Sequence, residues 1–187
     1  EAPPARQAPA PRTVLWSHYA PFLDQGNRSS CQGPALAQVL NCSKFTKARK
    51  SGRYLNEQDA VAVYSLGTTL DEFPGSYPPQ DDGSSALGVC KAAVQLGYLT
   101  AYRHTFGFDD ALAALALSPA IMGINWYDDM FRVDSRGFVH VGGRVQGGHE
   151  VAVLGVSVRD QYVTILNSWG AGWGKNGRAR ISFDDLR

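Results

Sequence analysis

Apolar positions change their period partway along the chain. Ala35, Leu36, Val39 and Leu40 recur at the spacing of one helix face. They predict a helix from about Ser30 to Cys42, with Ser30 as N-cap and Pro34 tolerated in the first turn. A second helix is predicted from about Glu57 to Leu66, capped by Asn56. A third runs from about Ser85 to Leu96, with Ser84 as cap and Gly97 as stop. Pro74, Gly75, Pro78 and Pro79 make Thr68 to Asp82 a loop, and the basic run Lys44 to Arg53 reads as a solvated loop. After a short helix at Asp109 to Leu117, Pro119 breaks the pattern and strand-like runs follow. These are Ala120 to Trp126, Phe138 to Val141, Val151 to Val158, Tyr162 to Leu166 and Arg178 to Phe183. Val14 to Leu23 reads as an extended lead-in, and Pro/Ala/Arg-rich Glu1 to Arg12 as a tail. Helices first and strands later predict an α+β fold, a helical lobe against an antiparallel sheet.

Composition narrows this only a little. The length, 187 residues, suits one domain or two small lobes. With 18 basic and 17 acidic residues the net charge is +1, so nothing points to nucleic acid or an anionic membrane. No apolar run reaches membrane-spanning length, so a soluble chain is expected, in a compartment left open. Arginine outnumbers lysine, and alanine and glycine abound, as in high-GC genomes. The chain opens on Glu1 rather than Met, so removal of an upstream signal peptide or pro-segment is expected, or a cut chosen there. No metal-ligand or cofactor constellation stands out. Gly170 to Gly177 has the glycines and lysine of a phosphate loop but lacks Ser or Thr after Lys175 and leads into a strand.

The chemistry lies in three stretches. Cys31 ends a polar, turn-prone run and opens the first helix, where free N–H groups and the helix dipole favour a thiolate. The plain alternative is a small buried core cysteine. His149 follows Gly147-Gly148 and enters the apolar run Val151 to Leu154, and Asn167 opens Asn-Ser-Trp-Gly. Cysteine, histidine and asparagine are what thiol acyl transfer requires: a nucleophile, a proton carrier and a group that orients it. Cys42 and Cys90 fall in helical patterns and read as buried thiols, a disulfide between them being the alternative.

Together these motifs resemble those of papain-like cysteine peptidases, in particular a short prokaryote or phage type. Gln25-Gly26 precedes Cys31 at the family's spacing, His149 precedes an apolar strand, and Asn167 to Gly174 matches Asn-Ser-Trp-Gly-x-x-Trp-Gly. Trp16, Leu55 to Asp59 and Asp82 to Leu87 resemble further family segments. The resemblance implies a papain-like catalytic domain at residues 13–187, after a tail at 1–12. Its helical lobe would cover about 24–100 and its β lobe about 101–187 plus the lead-in, with the site in the cleft between. It implies Cys31 as nucleophile, His149 as base, Asn167 as orienting group and Gln25 as oxyanion donor. It puts Arg28 and Ser29 on the pocket wall for the side chain before the cut, and Gly83 along the substrate groove. Met122, Gly147 and Gly148 would line the next pocket, and Trp169 would shield the His149–Asn167 pair. Arg28 would disfavour a basic residue before the cut. The implied partner is a peptide or protein substrate, with a pro-segment or inhibitor able to fill the same cleft; the oligomeric state stays open. A cell-wall peptidase acting on peptidoglycan stem peptides and an inactive module used for binding or assembly are the alternatives. Four positions depart from the family pattern: Arg28-Ser29 replaces cysteine-glycine, Gln32 an aromatic, and Glu150 a small residue.

Overall fold

The computed structural model describes residues 10–48 and 52–187. Most of the Pro/Ala/Arg-rich tail and part of the basic run lie outside them. Among the described residues, four α-helices precede most of the sheet: α1 (Gln32–Leu40), α2 (Glu57–Gly67), α3 (Ala86–Gln95) and α4 (Phe108–Leu115). A short strand β1 (Val14–Leu15) leads in, and β2 (Ala120–Tyr127), β3 (Val145–Ser157), β4 (Tyr162–Leu166), β5 (Arg178–Ser182) and a last turn α5 (Phe183–Leu186) complete the chain. The α+β expectation holds.

Helix α1 is the shared wall between two cores. Leu36, Ala37 and Leu40 pack with Val63, Val89 and Ala92 of α2 and α3. Val39 turns the other way, onto Ala152 and Leu154 of β3. A helix buried on both sides cannot carry the polar stripe of a surface helix, and Gly33 through Leu40 are indeed all buried. Gly33 lets α2 approach: a Cβ there would stand 2.2 Å from the Ala60 carbonyl oxygen. Asn56 caps α2 as predicted, accepting from the Gln58 and Asp59 N–H groups, while Asp59 Oδ2 accepts from the Asn56 N–H. Two predicted caps shift. Ser85, in extended backbone, caps α3, and the Ser84 hydroxyl donates to Asp71 instead at 2.6 Å. Cys31 itself takes the N-cap position of α1, in helical conformation, and the Ser30 hydroxyl caps nothing.

The sheet is antiparallel. Strand β3 pairs with β1 and β2 along different parts of its length and with β4 on its other side, and β4 pairs with β5. β3 begins at Val145, before the predicted Val151, because Gly147, Gly148, His149 and Glu150 ladder onto Trp126, Asn125, Ile124 and Gly123. A partner strand fixes these glycines in extended pairing, which local preference alone does not. Phe138 to Val141 is not a strand; Phe138 makes only an isolated bridge to Arg180. Phe183 belongs to α5, whose first turn is capped by the Ser182 hydroxyl. The sheet core gathers Trp126, Val151, Val153, Ile165 and Ile181.

His18 stacks on Phe22 with ring centroids 5.9 Å apart, and both ring nitrogens are buried without partners. Burial, then the Arg178 cation, lowers its pKa from 6.5 to about 4. The folded state therefore resists a proton that the unfolded state accepts. Stability from this group is present above pH 6.5 and is lost as pH falls through about 4. Thermal melts across that window should show a loss of roughly 3 kcal/mol at the acid end. His18→Phe should flatten the curve there; an unchanged acid limb would remove His18 as its cause.

Candidate active site

The site forms where the start of α1 meets β3. The Cys31 side chain is buried, and the backbone N–H of Glu150 on β3 donates to its Sγ at 3.4 Å. That hydrogen bond carries the residue beside His149 onto the thiol. Burial pushes the Cys31 thiol up to about 11, and the Glu150 carboxyl adds to the rise. The N–H groups of Glu150, Gln32 and Cys31 pull the other way, as a helix end should, but with less effect. Desolvation thus outweighs the helix end on which the thiolate expectation rested.

His149 Nε2 lies 2.7 Å from Asn167 Oδ1. The same oxygen accepts the Ser168 N–H at 2.8 Å, which identifies it as the amide carbonyl. A carbonyl oxygen can only accept, so Nε2 carries the proton and the neutral ring keeps its lone pair on Nδ1. Burial lowers the His149 pKa, and the Asn167 hydrogen bond partly restores it. Burial thus favours the uncharged form of each group. Asn167 is fully buried, and its main-chain carbonyl accepts from Gln38 Nε2 of α1 at 3.3 Å.

Two aromatic rings flank His149, and two more pack behind them. Trp126 stands edge-on to His149 at 4.9 Å and Trp169 lies 5.1 Å from it. Phe131 stacks on Trp169, and Trp173 meets it edge-on. Sequence reasoning found Trp169 but missed Trp126 and Phe131. Trp126 sat in a predicted strand, yet only the pairing with Gly147 brings its ring to His149.

Gln25 reaches the site through a stitch between the segments 23–25 and 168–170. The Gln25 N–H donates to the Ser168 carbonyl and the Gly170 N–H to that of Leu23. The Gln25 side-chain carbonyl accepts the Ser168 hydroxyl at 2.6 Å, and its Nε2 donates to the Arg28 carbonyl at 2.7 Å. An amide has two N–H bonds, so one stays available.

The remaining predicted residues take distinct places. Arg28 and Ser29 are exposed beside Cys31. The Ser29 N–H donates to Asp81, which also accepts the Tyr64 hydroxyl, while the Gly83 N–H donates to that hydroxyl. This network ties the 81–83 loop to the nucleophile loop, and Gln32 adds a hydrogen bond to the Ser84 carbonyl at 2.7 Å. Gly83 has φ +96°, a conformation that favours glycine. Met122 packs against the sheet core. Gly147 and Gly148 border open space, with nothing within 4 Å of an added Cβ. Cys42 is buried, and its thiol donates to the Gln38 carbonyl at 3.4 Å. Among the described residues no helix is long and apolar enough to cross a membrane.

Comparison with known proteins places this geometry. Residues 24–185 match the profile of the family described as papain family cysteine protease. A cathepsin B-like protein, CP3, of Giardia intestinalis is 34% identical over 127 residues, covering 62% of this chain and 42% of its own length. The chain thus spans less than half of that relative. Xylellain, a cysteine protease from Xylella fastidiosa, superposes with TM-score 0.53 at 20% identity, over 95% of this chain and 81% of its own. Digestive procathepsin L 3 of Tenebrio molitor larval midgut superposes with TM-score 0.59 at 18% identity, over 94% and 66%. The fold is therefore papain-like.

Proposed function

The chain belongs to the papain family of cysteine proteases, and from that premise we propose that it hydrolyses peptide bonds with Cys31 as nucleophile. His149 Nδ1 takes the thiol proton as Sγ attacks the substrate carbonyl. The oxyanion receives hydrogen bonds from the available Gln25 N–H and the Cys31 N–H. His149 then protonates the leaving amine, and a thioester remains on Cys31. Water, activated by the same imidazole, attacks that thioester and releases the acid. Asn167 holds the ring so that Nδ1 stays the basic atom. The observation that carries this reading is the 2.7 Å contact between His149 Nε2 and Asn167 Oδ1, which assigns the tautomer.

The partner is a peptide or protein substrate lying in the cleft between α1 and β3. The proenzyme form of the Tenebrio neighbour supports a pro-segment as a second occupant of that cleft.

An epoxysuccinyl inhibitor tests the reading directly. It should modify Cys31 alone, located by peptide mass spectrometry, and His149→Ala should slow the reaction greatly. Modification of Cys42 or Cys90 at equal rate, or no adduct at Cys31, would remove Cys31 as the nucleophile.

A further inference from the structure

Glu150 carries a carboxyl group that nothing nearby neutralises. It is 6% exposed, and Oε1 is buried without a hydrogen-bond partner. No ion pair among the described residues includes it. Strand alternation turns Glu150 to the face opposite His149, toward the helical lobe. Two thiols feel its charge there, Cys31 at the start of α1 and Cys90 on α3. Lys91, next to Cys90, directs its ammonium to the Leu70 carbonyl instead. Burial alone raises the Glu150 pKa to about 7, so near neutrality the group is poised between its two forms.

The neighbourhood is bare on one side. Gly123 of β2 is the cross-strand partner of Glu150 and is exposed. A Cβ built on Gly123 would lie 3.2 Å from Glu150 Oε2, and it would meet no other residue within 4 Å. Gly148 lies two residues before Glu150 on the same face, and an added Cβ there meets nothing. Gly123 and Gly148 thus pave an open notch with a carboxylate as its floor, beside the thiol that the Glu150 N–H contacts. A buried carboxylate is costly unless a cation or hydrogen-bond donors meet it.

We propose that Glu150 selects substrate: its carboxylate receives the lysine or arginine side chain of a peptide laid over the Gly123–Gly148 notch, and that pairing favours Cys31 as nucleophile. The second effect follows from charge. A carboxylate near Sγ disfavours the thiolate, and a cation that neutralises it removes the opposition. A cationic substrate would therefore both occupy the notch and ease formation of the nucleophile. A neutral substrate would do neither.

The effect on Cys31 rests on the peptidase reading, so binding is measured where no turnover is needed. In Cys31→Ala protein, calorimetry would compare blocked alanine-based peptides carrying one arginine, scanned through three successive positions, with isosteric citrulline versions. At one position arginine should bind about 10- to 100-fold more tightly. Glu150→Gln should erase that difference, and Gly123→Val, which fills the notch but keeps the charge, should reduce it. Equal binding of arginine and citrulline peptides, or a preference that survives in folded Glu150→Gln protein, overturns the proposal. In protein with Cys31 intact, Glu150→Gln should speed alkylation by neutral iodoacetamide several-fold at fixed pH. An unchanged rate overturns the coupling to Cys31. Arginine-selective binding without any peptide hydrolysis would sink the peptidase reading while leaving the notch in place.

Discussion

His149→Ala lowers kcat/KM for peptide hydrolysis by roughly 10⁴-fold or more. In the proposed mechanism His149 is the base for the nucleophile. Cys31 is held as a thiol, pushed up to about 11, so attack requires a group that takes its proton as the C–S bond forms. The tautomer leaves that capacity on Nδ1 of His149, because Nε2–H is engaged by Asn167. Removing the ring removes both the acceptor for attack and the donor for the leaving amine. Asn167→Ala should cost at least about tenfold less, since it takes away orientation and no proton carrier. Asn167 also accepts the Ser168 N–H, so its replacement can disturb the loop. Asn167→Asp, which keeps an acceptor, separates the two effects. Steady-state kinetics on the three variants, with melting curves to verify folding, decide the order. Equal losses for His149→Ala and Asn167→Ala in folded protein would make orientation too weak a description of Asn167.

Gln25→Ala lowers kcat by roughly 10²- to 10³-fold while Cys31 alkylation changes little. The Gln25 amide is locked at both ends, its carbonyl by the Ser168 hydroxyl and one N–H by the Arg28 carbonyl. That leaves a single N–H with no other use and little freedom to turn. A donor held this way stabilises charge that exists only while a tetrahedral intermediate forms. Alkylation by iodoacetamide develops no oxyanion, so it does not depend on that donor. Parallel measurement of turnover and alkylation on the same preparation tests the distinction. A matched loss in both would mean that Gln25 only supports the loop. Gln25→Glu is a useful companion, since it keeps the shape and replaces the donor with an acceptor.

Local chemistry carried a large share of this protein in its sequence. The period of three to four in the first half and the branched, apolar runs in the second were enough for an α+β fold, because amphipathic spacing is a property of neighbours along the chain. The Asn56 cap was legible for the same reason: its partners lie two and three residues away. Cys31, His149 and Asn167 could be proposed together because each stands in a distinctive run, and the match across residues 24–185 shows the family those runs suggested. What tertiary structure decided was everything set by contacts between distant segments. Pairing with β2 extended β3 back to Val145, and a single bridge to Arg180 left Phe138 to Val141 without a ladder. Asp71 drew Ser84 away from the cap that Ser85 supplies. Strand pairing brought Trp126 to His149 and left Gly123 bare beside Glu150. The largest reversal was electrostatic. A helix N-terminus argues for a thiolate, but the solvent exposure of Cys31 depends on residues well over a hundred positions away. Once β3 closes over that sulfur, the cost of desolvating a charge outweighs the helix end.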